Sequence, residues 1–372
     1  MKILVACDSF KDALPANDVC RAIAAGLREV LPASQVTQIP LSDGGEGLLD
    51  VLQGPLHLTI IEATVCDPIG RLVRARYGLT ADSLTCVIEM AEASGLQRLS
   101  LAERDPLNTS TYGAGQLLAD AKSRGAQHVI FGIGGSATND AGVGAAAALG
   151  WRFLDASGQP IHIDGKTLSE IASIVTAPCP FERLDVLCDV TNPLFGPTGA
   201  AWVYGRQKGA TEEALQRLDD GLRHISKLTA EQMGHDDITL MPGAGAAGGL
   251  GFGAVAFLGG TLRSGIGVVL DLTGFATAAK EADLIITGEG HLDCQTTQGK
   301  LIQGVCTRAG NTPVIALCGK LSATPEQIQA IGLKAAYCIN GPDEPLQTML
   351  DNTAYNLKSS VTNIDFARFC RD

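Results

Sequence analysis

Residues Lys2 to Ala6 read KILVA, and the residues that follow read Cys7-Asp8-Ser9-Phe10-Lys11. A short apolar, β-branched run without polar alternation is a strand buried on both faces, as in parallel sheets covered by helices. The switch after it is abrupt, placing a carboxylate, a hydroxyl and an ammonium at the strand's carboxyl end. In open α/β sheets that end is where ligands bind. Other apolar runs of this chain stop the same way, in an acid or a glycine. Such a chain is constrained to carry its chemistry along one sheet edge, and repeated acids and glycines there point to handling of phosphate.

Helix and strand signals alternate along the rest. Asn17 to Val30 has apolar positions at Val19, Ile23 and Leu27, with Asn17 as the cap, and predicts a helix. Val36 to Leu41 predicts a strand that delivers Ser42-Asp43-Gly44-Gly45-Glu46-Gly47. Residues 60–110 are more β-rich and carry a D-P-x-G turn at Asp67 to Gly70. Thr111 to Ser123 predicts a helix and His128 to Ile133 a strand. A Gly-rich turn, a helix over 140–149 and a strand Trp151 to Leu154 follow. Asp185 to Cys188 reads as a buried strand ending in Asp189. Leu284 to Thr287, Pro313 to Cys318 and Ala335 to Ile339 return to tidy βα units. A chain of 372 residues is long for one hydrophobic core. The expected fold class is therefore α/β, a Rossmann-like parallel-sheet domain (1–62 and 283–372) interrupted by an inserted second α/β domain (63–282).

The charge balance excludes several functions. Net charge is −12, with 28 Lys+Arg against 40 Asp+Glu and no basic cluster, so a nucleic-acid surface is not expected. The 11 Cys are scattered, without a C-x-x-C pair or zinc spacing, which fits core residues in a reducing, cytoplasmic compartment. Cys7, Cys188, Cys306 and Cys318 sit inside apolar runs. The opening apolar run is too short for a signal peptide, and Asp8 ends it. Met241 to Leu262 is uncharged, but its eight glycines make a Gly-rich loop leading into a buried helix the expected form, not a membrane span.

Candidate chemistry lies at the predicted strand ends. Gly134, Gly135 and Ser136 offer N–H groups and a hydroxyl before a predicted helix, a natural anion site, while Thr138, Asn139 and Asp140 are also good caps. Gly132-x-Gly134-x-x-Ala137 with Asp155 downstream, and Gly243-x-Gly245-x-x-Gly248, also fit a dinucleotide fingerprint. An NAD-dependent oxidoreductase of a small hydroxy acid is thus an alternative, though no hydride-transfer site is evident. Asp8, Asp43, Asp189, Glu289 and Asp293 all fall at or just past strand ends, where they can serve Mg²⁺ and a general base. Lys11 and Lys300 are the cations best placed for phosphate; Arg206-Gln207-Lys208 reads as a solvated loop.

The motifs DSFK at 8–11, LSDGGEG at 41–47, GIGGSATNDAG at 132–142, CDVTNPL at 188–194, PGAGAAGGLG at 242–251 and ITGEGHLDCQTTQGK at 286–300 resemble the type-1 glycerate kinase family nearly end to end. The family continues DSFK with Gly-Ser where this chain has Asp12-Ala13, has Pro-Gln-Lys at 206–208, and has Arg at the place of His291. The resemblance implies ATP- and Mg²⁺-dependent phosphorylation of D-glycerate to 2-phosphoglycerate in a cleft between the two domains. A non-catalytic metabolite-binding module is the third reading. Asp189 is the expected base, with Asp43 second, and Lys11 the catalytic cation. Binding is expected from Asp8, Ser9, Gly44 and Gly45; from Gly134, Gly135, Ser136, Thr138, Asn139 and Asp140; and from Asn192, Gly288, Glu289, Asp293, Gln295 and Lys300. Asp8 and Asp293 are the expected metal ligands. The expected partners are D-glycerate and ATP, with no nucleic acid or membrane, and a homodimer if the chain associates with itself.

Overall fold

The KILVA run forms the strand Lys2–Cys7, and its five residues after Lys2 are fully buried. The computed structural model describes residues 1–234, 238–293 and 301–369. Two compact units divide the chain. One comprises Met1–Asp43, Asp50–Pro55 and Ile266–Asp372; the other comprises Gly44–Leu49 and Leu56–Gly265.

In the first unit, Lys2–Cys7 lies between Leu284–Leu292 and Gln35–Gln38, and the sheet continues through Val314–Leu321 to Ala335–Cys338. All these pairings are parallel. Both faces must then be covered, which explains the absence of polar alternation. The helix Ala16–Val30 supplies part of the cover, burying Val19, Cys20, Ile23 and Leu27 along one stripe. Each such side chain contributes about 1.5–3 kcal/mol of burial. It begins at Ala16 with Pro15 before it, so Asn17 is inside the first turn and donates instead to the Asp50 carbonyl. Gly26 lets the helix Thr353–Thr362 approach closely, since a Cβ there would stand 2.6 Å from the Lys358 carbonyl oxygen.

Two strands of this sheet differ in length from expectation. Leu284–Leu292 runs five residues past Thr287 because Val314–Leu321 pairs with it as far as Leu292. Gly288 and Glu289 are therefore inside a strand, not beyond one. Gln35–Gln38 is shorter than expected, although Ile39 and Leu41 still donate to Val5 and Cys7 carbonyls.

The second unit holds a mixed sheet in the order Thr261–Arg263, Arg183–Leu187, His128–Gly132, Thr85–Glu89, Leu72–Leu79, Thr59–Cys66. The first four strands are parallel, and the last two add an antiparallel hairpin. Its turn forms as expected: Gly70 N–H donates to the Asp67 carbonyl, and the Asp67 carboxylate accepts from Ile69 and Arg71 N–H. That pairing places residues 56–62 in the second unit, whereas the helices Gly265–Leu272 and Phe275–Glu281 fall almost wholly in the first. The unit boundaries therefore differ from the expected junctions near 62 and 282.

Met241 to Leu262 contains the buried helical segment Ala246–Leu258, broken near its start by left-handed Ala247, Gly248 and Gly249. Among the described residues no helix is long and apolar enough to cross a membrane. Of the four cysteines in apolar runs, Cys7 and Cys318 are buried while Cys188 and Cys306 are only half-buried.

Asp12, where the family motif has Gly, holds φ +61°. The left-handed region costs an ordinary L-residue roughly 1–2 kcal/mol, and Asp somewhat less. Asp12→Gly should therefore raise stability by about 0.5 kcal/mol net of the extra freedom glycine gives the unfolded chain. Chemical denaturation checks this; a lowered midpoint would show that the Asp12 side chain stabilises the loop.

Candidate functional site

In the first unit, Asp8 follows its strand directly, and its N–H donates to the Gly288 carbonyl at 3.0 Å. Its carboxylate accepts from Ser9 N–H at 2.7 Å and from the Ser9 hydroxyl at 3.3 Å. Burial and then the negative charge of Asp43 raise its pKa well above the ordinary carboxylate range; Glu289 adds to the rise and the Ser9 hydrogen bonds oppose it. Three carboxylates from three separate segments thus share one electrostatic neighbourhood. Like charges held together favour either a proton or a cation among them. Among the described residues, no three His, Cys, Asp or Glu side chains form a complete metal cage. A Mg²⁺ that takes one or two carboxylates and the rest of its oxygens from phosphate fits this arrangement. Asp293 lies just past the end of Leu284–Leu292, with an oxygen 3.9 Å from His291 Nδ1. Lys11 is exposed. Gln295 and Lys300 lie outside the described residues.

In the second unit, three strand ends carry the loop Gly44–Gly47. A Cβ on Gly44 (φ +93°) would stand 2.7 Å from Leu187 Cβ, and one on Gly132 2.5 Å from the Gly44 carbonyl oxygen. One on Gly134 would stand 2.5 Å from Gly45 Cα, so backbone meets backbone and no side chain fits. Buried Glu89 anchors the loop, accepting from Gly47 N–H at 3.1 Å and Leu49 N–H at 2.6 Å. Glu89 was not among the expected residues, although it too ends an apolar strand.

The Gly134–Ser136 turn does not open a helix. The next helix is Val143–Ala148, six residues long and beginning well beyond the turn. The turn is tied instead to the segment 94–96: Leu96 N–H donates to the Gly135 carbonyl and Ala137 N–H to the Ser94 carbonyl. Thr138, Asn139 and Asp140 are fully buried. Asp140, expected as a binding residue, is enclosed: its carboxylate accepts from the N–H groups of Thr111, Gly142 and Gly144 and from the Thr111 hydroxyl. Burial raises its pKa, and these donors hold it back.

Lys208 is the main departure from the sequence reading. Arg206 and Gln207 are exposed, as expected of a solvated loop, but Lys208 is 3% exposed. The loop turns tightly through Gly209, whose added Cβ would lie 2.0 Å from the Arg104 carbonyl oxygen, and the lysine is carried inward. Its ammonium donates to the Thr138 carbonyl at 2.6 Å and lies 3.4 Å from Ser136 Oγ. Burial lowers its pKa to about 7, partly countered by the charge of Asp140. The flanking Gly205 and Gly209 were the available signal of a close turn.

Asp189 stands just past Arg183–Leu187, half-buried, and its carboxylate accepts from the Ser264 hydroxyl at 2.9 Å and Gly265 N–H at 3.0 Å. Asn192 is engaged at both ends of its amide, donating to the Thr198 carbonyl and accepting from the Tyr204 hydroxyl. The dinucleotide alternative loses its acid: Arg152–Leu154 belongs to a separate two-stranded sheet, and Asp155 closes a turn onto Ser157 and Gln159.

A family model described as the glycerate kinase family matches residues 3–369. A protein named glycerate kinase from Bacillus cereus is 41% identical over 370 residues, covering 98% of this chain and 97% of the relative. A glycerate 2-kinase from Escherichia coli K12 is 39% identical over 345 residues, covering 91% of this chain and 90% of the relative. The crystal structure of a "putative glycerate kinase 2" from Salmonella typhimurium LT2 superposes with a TM-score of 0.82 at 41% identity, covering 98% of this chain and 96% of that one.

Proposed function

The chain belongs to the glycerate kinase family, and from that membership we propose that it transfers the γ-phosphoryl group of ATP to the C2 hydroxyl of D-glycerate, giving 2-phosphoglycerate and ADP. The observation that carries the reading is the carboxylate cluster at the strand ends of the first unit, where burial and the charges of Asp43 and Glu289 act on Asp8. We read the second unit as a domain inserted in the first, with boundaries at the crossings just described.

The chemistry divides among few groups. Mg²⁺, when bound with ATP, would supply positive charge to offset the negative charge of the phosphates. Asp8 and Asp293 would hold it, and Glu289, whose charge acts on Asp8, is a further carboxylate able to do so. Asp189 is the base that accepts the C2 hydroxyl proton as that oxygen bonds to phosphorus. Gly134, Gly135 and Ser136 supply N–H donors to an anionic group of a substrate. Lys11, exposed beside Asp8 in sequence, offsets the overall negative field for incoming anions. The free cysteines suit a reducing, cytoplasmic setting.

The reading predicts ADP release that requires D-glycerate, stops on chelation of divalent cations and returns with added Mg²⁺. ADP release unchanged by chelator would remove the metal from the account. Nicotinamide absorbance changes with no ADP release would replace the kinase reading altogether.

A further inference from the structure

We propose that Lys208 is a positioning residue, whose buried ammonium clamps the Gly134–Asp140 turn in the shape that receives an anionic substrate group. The proposal rests on the kinase reading of that turn and adds a residue outside it.

The geometry shows a clamp on three segments. Lys208 Nζ donates to the Thr138 carbonyl and lies within 3.4 Å of Ser136 Oγ. That hydroxyl in turn accepts from Thr138 N–H at 3.0 Å and reaches the Ala247 carbonyl at 3.4 Å. On the far side, a Cβ on Gly248 would stand 2.0 Å from the same Thr138 oxygen, so that carbonyl is held between the backbone of residue 248 and the ammonium.

The clamped backbone is strained. Ala141 and Ala247 hold φ +54° and +53°, followed by Gly142 at +71° and Gly248 at +68°. Left-handed alanines persist only where their surroundings over-determine them. Ala141 N–H donates to the Gly248 carbonyl, joining the two strained segments directly. Lys208 is the charged donor at this junction, and Asp140 is the charge that acts on it. A methionine of similar length would fill the space without the desolvation cost of an ammonium, but it could donate to neither Thr138 nor Ser136. What the lysine contributes is therefore the donated hydrogen bonds and the charge, which set the turn and favour an anion against it.

Lys208→Met and Lys208→Arg, compared with the wild-type enzyme, test the assignment. KM and kcat would be measured for D-glycerate and for ATP, together with melting temperature. In the folded Met variant, KM for one of the two anions should rise about tenfold or more while the other stays within twofold, and Arg should recover part of the loss. Which KM moves identifies the bound group as carboxylate or phosphate. Unchanged KM values, or both rising alike, would overturn the clamp. If the Met variant does not fold, ¹⁵N NMR of lysine-labelled wild-type protein decides. The Lys208 side-chain signal, assigned by its absence from the Lys208→Arg spectrum, should shift its titration upward when either D-glycerate or a non-hydrolysable ATP analogue saturates the protein; no shift with either overturns the proposal. A wild-type enzyme with no turnover of D-glycerate would instead overturn the kinase reading.

Discussion

Asp8→Asn should melt above the wild type at pH 7 while turning over at about a hundredth of its rate or less. Both effects come from the same electrostatics. Asp8 is crowded by burial and by the charges of Asp43 and Glu289, so its pKa in the fold is raised. A raised carboxylate pKa means the native state binds more protons than the unfolded chain between the unfolded value and the folded one. Stability contributed at this site therefore falls as pH rises through that window. The asparagine removes the charge and with it the penalty. The gain over wild type should be full above the folded pKa and vanish below about pH 4. Adding Mg²⁺ with ATP should reverse the ranking, because only the wild type gains a ligand for its stored negative charge. A variant that melts lower at pH 7 would show Asp8 to be a structural carboxylate; undiminished turnover would remove it from the metal.

Asp189→Asn should lower turnover by ~10² or more and leave glycerate affinity within a few-fold. The prediction is sharper than for most carboxylates, because the scaffold role survives the change. An asparagine oxygen can still accept from the Ser264 hydroxyl and Gly265 N–H. What it cannot do is accept a proton from the attacking hydroxyl. Melting temperature should stay close to wild type. Near-normal turnover would end the assignment of the base, and a large stability loss with proportionate activity loss would show that the hydrogen bonds to residues 264 and 265 are its whole purpose.

The strands were legible in the sequence because apolar, β-branched runs are local signals. Lys2–Cys7, His128–Gly132 and Arg183–Leu187 fall within a residue or two of where the pattern places them. Where each strand stops was less legible, because a strand ends where its partner does. Leu284–Leu292 outruns its apolar core since Lys320 and Leu321 pair with His291 and Leu292. The acids at strand ends were legible as a set, while their division of labour was not. Asp140 is consumed by the N–H groups of Thr111, Gly142 and Gly144, one of which comes from a distant segment. The burial of Lys208 was less legible: Gly205 and Gly209 in GRQKGA signal a close turn, but which side chain that turn carries inward depends on backbone packing of Gly209 against Arg104, a distant segment.

The central claim is that the phosphoryl group goes to C2. Glycerate has a less hindered primary hydroxyl at C3, so reaching C2 requires the site to hold the secondary oxygen in line with the γ-phosphate. Coupling the reaction to enolase without phosphoglycerate mutase reads the product directly, since only 2-phosphoglycerate is dehydrated as it stands. The account predicts enolase signal at once with D-glycerate, ATP and Mg²⁺ alone. Signal that appears only after mutase is added would mean the 3-phosphate is made, and would contradict it.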